Sequence, residues 1–316
     1  MKITLVGPGE NHPIPPIGWG AVEILIWDNK NILEKMGHKV QIVNTSNRSR
    51  IIEEINQFNP DFVHIHYDDM IDVYPYINYP RAISSHFGYL EQPNKFNGYE
   101  KLLNQFLQIQ PNIFCHSPGI YDTYRYAYGI PNSKLFLTSN GVRSELFRYS
   151  TEPVHSDKSI YVAKVDYRKR QHLFQSISSL YYAGNCDYPS FNKNINYLGE
   201  WNKQTLYESL TDFGNLVLLS DGENHALVCM EALAAGLGVV VSEYATAHLD
   251  LSKNFITVIP EEKINDIEYI EDKIIKNREY SVKNREEIKQ YSKVFEWETV
   301  IKKLYLPSVE RIIENA

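Results

Sequence analysis

Cysteine is scarce: there are three in 316 residues, Cys115, Cys186 and Cys229, far apart and without metal-ligand spacing. An odd number of scattered thiols cannot form a full disulfide framework, so a reduced, cytoplasmic setting is the expectation. Long apolar runs are missing as well. Nowhere do about 18 uncharged apolar residues follow one another, and the opening Met1-Lys2-Ile3-Thr4-Leu5-Val6-Gly7 is too short for a signal h-region, so no membrane span is expected. Positive charge is not in excess either: the formal net charge is -7, which argues against a general nucleic-acid binder. No basic amphipathic stretch marks a peripheral membrane contact. Any anion site must therefore be local. A dinucleotide fingerprint fails too, because Gly7-Pro8-Gly9 is followed by Glu10-Asn11-His12 where the third glycine of G-x-G-x-x-G belongs. His64, His66, His86 and His116 have no distinctive ligand spacing, and no metal site is expected from them.

What is present is a soluble globular composition, 43% hydrophobic and 22% charged, long enough for two domains. Short β-branched runs alternate with helical spacing. Strands are expected over 2–6, 40–43, 62–65, 82–85, 112–116 and 135–138, with helices over 21–36 and 51–58, the first stopped by Gly37. After a polar, linker-like stretch at 149–157 the pattern restarts. Strands are expected at 159–164, 194–198, 215–219 and 239–241, and helices at 172–182, 206–210 and 226–235. From Ile264 onward the chain reads as helical, with an apolar stripe through Trp297, Val300, Ile301 and Leu304. Strands alternating with helices imply parallel sheets. The fold class expected is α/β with two doubly wound domains, 1–150 and 151–290, facing a cleft, and a closing helix 291–316 that returns to the first.

Three segments carry chemistry. In Leu218-Leu219-Ser220-Asp221-Gly222-Glu223-Asn224-His225-Ala226-Leu227, continuing to Glu231-Ala232-Leu233-Ala234-Ala235-Gly236, a strand runs through a loop into a helix start. Open N–H groups and the helix dipole there favour a phosphate. Glu231 can accept from a ribose diol and Glu223 from sugar hydroxyls, although the bare spacing also fits a cap and a solvated face. In Ile160-Tyr161-Val162-Ala163-Lys164-Val165-Asp166-Tyr167-Arg168-Lys169-Arg170, Lys164 at a strand end and Lys169 in the next loop offer two cations to a diphosphate, or else form a basic surface turn. In Pro15-Pro16-Ile17-Gly18-Trp19-Gly20-Ala21-Val22-Glu23, glycines precede a helix.

These segments resemble the retaining glycosyltransferases of the GT-B fold, family 4. The first is similar to their P-S-x-x-E-G-F-G-L-x-x-x-E-A-M-A-x-G-x-P-V-V run, the second to G-R-L-x-x-x-K-G, and the third to P-P-x-G-Y-G-G-x-E with the later G-H-x-V seen here as Gly37-His38-Lys39-Val40. Weaker matches lie in Thr138 to Phe147 and in Phe295 to Tyr305. The resemblance implies that Glu231 binds the donor ribose and that Glu223 meets the sugar near its 3- and 4-hydroxyls. It places amides of Asn224, His225, Ala226 and Leu227 on the diphosphate, with Lys164 at the arginine position and Lys169 at the lysine position. Gly20 would approach the donor phosphate, and His86 would reach the donor sugar. Here Asn224-His225-Ala226 replaces Gly-Phe-Gly, Ala21 replaces a glycine and Gly238 a proline. The implied activity is metal-independent transfer of a hexose from a nucleotide-diphosphate sugar, UDP-sugar first and GDP-sugar next, to a glycan or other hydroxyl acceptor, with retained configuration. No cofactor is tightly bound in that reading. Acceptor recognition falls to the aromatic-rich loops 67–76 and 87–99. A nucleotide-sugar epimerase or a phosphorylase of the same fold, and a non-catalytic carbohydrate-binding module, are the rivals.

Overall fold

The structure is a computed structural model and describes every residue except Trp19, so the expectation resting on that residue lies outside the described residues. The chain divides into two compact units, Met1–Gly141 with Trp297–Ala316, and Val142–Glu296.

The first unit is built on β1 (Lys2–Val6), β2 (Lys39–Val43), β3 (Phe62–Ile65), β4 (Arg81–Ser84), β5 (Ile113–Cys115) and β6 (Leu135–Leu137). All pair in parallel, in the order β2-β1-β3-β4-β5-β6. Helices α1 (Ala21–Lys35), α2 (Arg48–Phe58), α3 (Glu100–Ile109) and α4 (Pro118–Asp122) connect them. A sheet covered on both faces buries successive positions, and β1 and β3 do so without alternation, mostly with apolar side chains and with Thr4 and His64 as the polar exceptions. The helix ends are marked in the sequence: Asn47 and Ser117 accept the Arg50 and Ile120 N–H groups as N-caps, and Asn59 closes α2 at φ 51°.

The second unit carries β7 (His155–Val162), β8 (Leu180–Ala183), β9 (Phe213–Leu218), β10 (Gly238–Ser242) and β11 (Ile256–Ile259), again all parallel, in the order β11-β10-β9-β7-β8. Its helices are α5 (Lys203–Ser209), α6 (Leu227–Ala234), α7 (Ile267–Lys283) and α8 (Arg285–Ser292). Every residue of β9 and β10 is buried. Fully burying one such aliphatic side chain is worth about 1.5–3 kcal/mol, so these two strands anchor the sheet. A polar spine adds specificity: Asn215 receives the Ser159 hydroxyl and donates to Asn277 and the Ile274 carbonyl, tying β7 and β9 to α7. The chain then returns to the first unit through α9 (Trp297–Val300) and α10 (Leu306–Glu314), where Trp297, Val300 and Ile301 are buried.

The structure corrects three sequence expectations. Residues 172–182 are not a helix: a 3-10 turn at Gln171–Phe174 is followed by β8. Phe174, Ile177 and Leu180 are fully buried at a spacing of three, which imitates a helix. Here the spacing comes from consecutive turns, with Ile177 N–H bonding the Phe174 carbonyl and Leu180 N–H the Ile177 carbonyl. Residues 194–198 form turns with a single bridge, Tyr182 to Tyr197, in place of a strand, because Asn196 takes φ 49°. The polar stretch 149–157 contains the start of β7, whose pairing with β9 shifts register between His155 and Ser159. Strand β11 carries no expectation from the sequence: its four residues, Ile-Thr-Val-Ile, are a short signal at the sheet edge.

Candidate functional site

In an open parallel sheet the crevice for a ligand lies where strand order reverses, at the carboxyl ends. In the second unit the chain goes from β7 to β8 on one side, then returns to β9 on the other, so the reversal falls between β7 and β9. The loops that leave those two strands, 163–170 and 219–226, hold Lys164, Lys169 and Glu223, and Glu231 follows in α6. Gly184, just beyond β8, lets the end of β8 pack against the start of the β7 loop: it has φ +149°, and a Cβ there would lie 1.8 Å from the Ala163 carbonyl oxygen.

Lys169 and Glu223 meet. The lysine ammonium donates to Glu223 Oε1, and both side chains are about nine-tenths buried, 12% and 10% exposed. Burial pushes the Glu223 carboxyl up, but the Lys169 and Arg168 charges and the Lys169 hydrogen bond outweigh it, and the net direction is down. Glu223 is therefore an ionised acceptor at neutral pH. The flanking residues fasten the two loops to each other. The Arg168 carbonyl accepts the Asp221 N–H at 2.8 Å, the Arg168 guanidinium donates to the Gly222 carbonyl at 3.1 Å, and Arg170 donates to Asp221. Beneath them the buried Tyr161 hydroxyl donates to the Lys169 carbonyl at 2.5 Å and accepts the Leu219 N–H at 2.9 Å. Burial pushes that phenol up, so it remains protonated.

Helix α6 opens at Ala226, which has extended backbone and no side-chain cap, so its first N–H groups lack an intrahelical partner and a capping side chain. Asn224 and His225 are nearly buried beside that opening, and the His225 ring lies 5.2 Å from the His248 ring. One turn into α6, Glu231 accepts from Lys203 of α5 at 3.1 Å. Lys164 is exposed, and no side-chain partner for it exists among the described residues. The Cys229 thiol is buried, and burial holds it protonated.

Gly20 and His86 belong to the other unit. Gly20 is the N-cap of α1, and the space a side chain would take is closed by Glu23 Oε2 and Pro16 Cβ, each 2.8 Å from the Cβ position. His86 follows β4 in a row of imidazoles at the ends of β3, β4 and β5. Centroids are 3.7 Å apart for His64 and His66, 6.1 Å for His66 and His86, and 4.8 Å for His86 and His116. Burial lowers the pKa of His86 to about 4, and burial with neighbouring imidazoles holds His64 and His66 well below 6.5. His64, His66 and His86 are therefore neutral at physiological pH. Among the described residues no group of three or more His, Cys, Asp or Glu side chains is arranged to hold a metal ion, and no helix is long and apolar enough to cross a membrane.

Sequence reading missed Lys203, Arg168, Arg170, Asp221 and Glu261 as members of the charged network. Arg168 and Arg170 had a signal, since they flank Lys169 in a run of three cations. Lys203 and Glu261 had none.

No protein-family model matches the chain, and no curated protein matches it. Solved structures do. Sucrose-phosphate synthase from Thermosynechococcus elongatus superposes with a TM-score of 0.76 at 14% identity, over 99% of each chain. Anabaena HepE, in complex with UDP and glucose, gives 0.72 at 13% identity, over 98% of this chain and 99% of that one. A glycosyltransferase from Rickettsia africae gives 0.71 at 14% identity, over 100% and 99%. The fold is GT-B. Within this GT-B chain, the reversal between β7 and β9 brings together an ionised carboxylate, cations and open helix amides, a set suited to a polyhydroxylated phosphate ester.

Proposed function

We propose that the chain is a retaining glycosyltransferase of the family 4 type that moves a hexose from a nucleotide-diphosphate sugar, with UDP-sugar favoured over GDP-sugar, to a glycan or other hydroxyl acceptor. The observation that carries this reading is the buried Lys169–Glu223 pair beside the uncapped start of α6, at the strand-order reversal. UDP and UDP-glucose in the HepE structures of the same fold support the donor class.

In this reading Lys164, Lys169 and the α6 amides from Asn224 to Leu227 neutralise the departing diphosphate, so the charge balance calls for no metal. Glu223 accepts the sugar hydroxyls and Glu231 the ribose diol. His86 and Gly20 of the N-terminal unit are assigned to the donor sugar and phosphate by the resemblance alone, and the acceptor goes to that unit's loops. As the anomeric carbon–phosphate oxygen bond breaks, the acceptor oxygen bonds to the same face and its proton passes to the departing phosphate oxygen.

The test is incubation of the purified protein with a panel of UDP-, GDP- and ADP-sugars and sugar acceptors, with products read by mass spectrometry and anomeric NMR. An α-linked product or slow hydrolysis from an α-linked donor, lost in Glu223→Gln, is the expected result. An epimerised nucleotide sugar, phosphorolysis of a glycan, or binding without turnover would each replace this reading with one of its rivals.

A further inference from the structure

Arg170 sits immediately after Lys169 and has no place in the chemistry above, yet its surroundings are the most constrained in the site. Its backbone lies in the left-handed region at φ +58°, which a non-glycine residue adopts at a cost and keeps only where the surroundings impose it. The guanidinium is nine-tenths buried and forks between two loops. One arm reaches Asp221, and Glu261, in the loop after β11, takes both nitrogens, at 3.0 and 2.5 Å. Glu261 is itself tied onward, its N–H bonding the Glu243 carboxylate beyond β10 at 3.0 Å. One side chain thus joins the loops after β7, β9 and β11, and through Glu261 the loop after β10.

The position of this fork in the chain gives it a specific effect. Arg168 and Arg170 flank Lys169 on either side, and their contacts with Asp221 and Gly222 all fall in the two residues just before Glu223. Held on both sides, the two loops keep one register. Only a planar, bidentate group can bind two carboxylates in that geometry, since a lysine ammonium is a single point of charge.

We propose that Arg170 is a positioning residue that fixes Lys169 against Glu223 and couples that pair to the β11 loop through Glu261. The proposal rests on the donor-site reading for its kinetic consequence but not for its structural one. Arg170→Lys keeps the charge and loses the fork. Arg170→Gly also loses the fork but takes φ +58° without cost, so it separates the backbone requirement from the side chain's role.

The experiment measures, for wild type, Arg170→Lys, Arg170→Gly and Glu261→Gln, three things: kcat and KM for the best nucleotide sugar, the melting temperature, and the titration of the Glu223 carboxyl carbon by NMR. Glu223 is faced by Lys169 and Arg168 from the β7 loop, by Tyr161 from β7, and by Ser220 and Cys229 from its own segment. The expected result is a fall in kcat/KM of at least tenfold in both Arg170 variants and a smaller fall in Glu261→Gln. The Glu223 midpoint should move up in both Arg170 variants, and Arg170→Gly should also melt lower than wild type, because the buried Asp221 carboxylate loses its guanidinium. An Arg170→Gly protein with wild-type kinetics and an unmoved Glu223 midpoint overturns the proposal. Should Arg170→Gly fail to fold, Arg170→Lys with wild-type values in both readouts does the same. If wild type turns over no donor at all, the functional reading fails, while the Glu223 titration still decides the role of Arg170.

Discussion

Replacing Lys169 with methionine keeps most of the side chain's volume and removes its charge, leaving the Glu223 carboxylate buried with only Arg168 near it. Breaking a buried ion pair by deleting one partner costs about 3–5 kcal/mol, and the remaining Arg168 attraction places this case at the low end, about 3 kcal/mol at pH 8. For a unit the size of Val142–Glu296 that is a drop in melting temperature of roughly 6–12 °C. The loss must depend on pH. In wild type the folded carboxyl lies below its ordinary 4.5, so its stabilisation is complete above that value and fades as pH falls through the lower folded one. In Lys169→Met the burial effect loses its main opponent, the folded pKa rises above 4.5, and the variant loses stability as pH rises. The gap between the two proteins is therefore small near pH 4 and full by pH 8. Urea unfolding at pH 4.5, 6 and 8 measures it. A gap that is constant with pH, or below 1 kcal/mol at pH 8, refutes the pairing on which the site is built.

Lys164→Ala is expected to leave the melting temperature within about a degree, since the side chain is exposed and unpartnered, while weakening UDP binding about tenfold, or 1.4 kcal/mol, by calorimetry. Asp68, after β3, is part-buried and accepts from the Ser85 hydroxyl, and desolvation pushes its pKa up to about 7. Its ionisation opposes folding as pH rises from about 4 to 7, so Asp68→Asn should gain on wild type over that range by up to about 4 kcal/mol, and a flat difference in urea midpoints would exclude this. Gly184→Ala places a methyl 1.8 Å from the Ala163 oxygen, and a loss of roughly 3 kcal/mol or more is expected by thermal denaturation. The His86 ring should show no NMR titration between pH 5 and 8, because burial lowers its pKa to about 4. A midpoint near 6.5 would mean that the imidazole row is solvated.

The parallel strands were legible because both faces are covered and their side chains run apolar without a break, as in Val239-Val240-Val241. The helix starts at Asn47 and Ser117 carry short polar caps, but the sequence expectations placed the first one turn too late and held no helix at the second. What failed was periodicity without length. Phe174, Ile177 and Leu180 satisfy a helical spacing over too few residues to distinguish stacked turns from a helix, and the deciding interactions, the pairing of β8 with β7, are distant in sequence. At the site, the glutamates and Lys169 could be picked out because their residue types match the chemistry of a phosphate ester. Their partners could not: Lys203 meets Glu231 across 28 residues and Glu261 meets Arg170 across 91, and no local pattern encodes contacts of that range.

The ion pairs also bear on how a donor would be selected. The chain carries a net charge of -7, so attraction of an anionic substrate depends on local cations, and most of those are already matched: Lys169 by Glu223, Arg170 by Asp221 and Glu261, Lys203 by Glu231. In the proposed reading a diphosphate gains Lys164 outright but must draw Lys169 from Glu223. The carboxylate so released is buried, and only a hydrogen-bond donor in its place avoids the cost of an unpaired charge. A sugar hydroxyl at that point satisfies it, whereas a donor lacking that hydroxyl leaves it bare. Sites that bond a substrate hydroxyl reject the analogue without it far more strongly than apolar pockets reject a missing methylene. Discrimination should therefore fall on the 3- and 4-positions of the sugar. Deoxygenation there should lower kcat/KM by at least 100-fold while changing the affinity for UDP alone not at all.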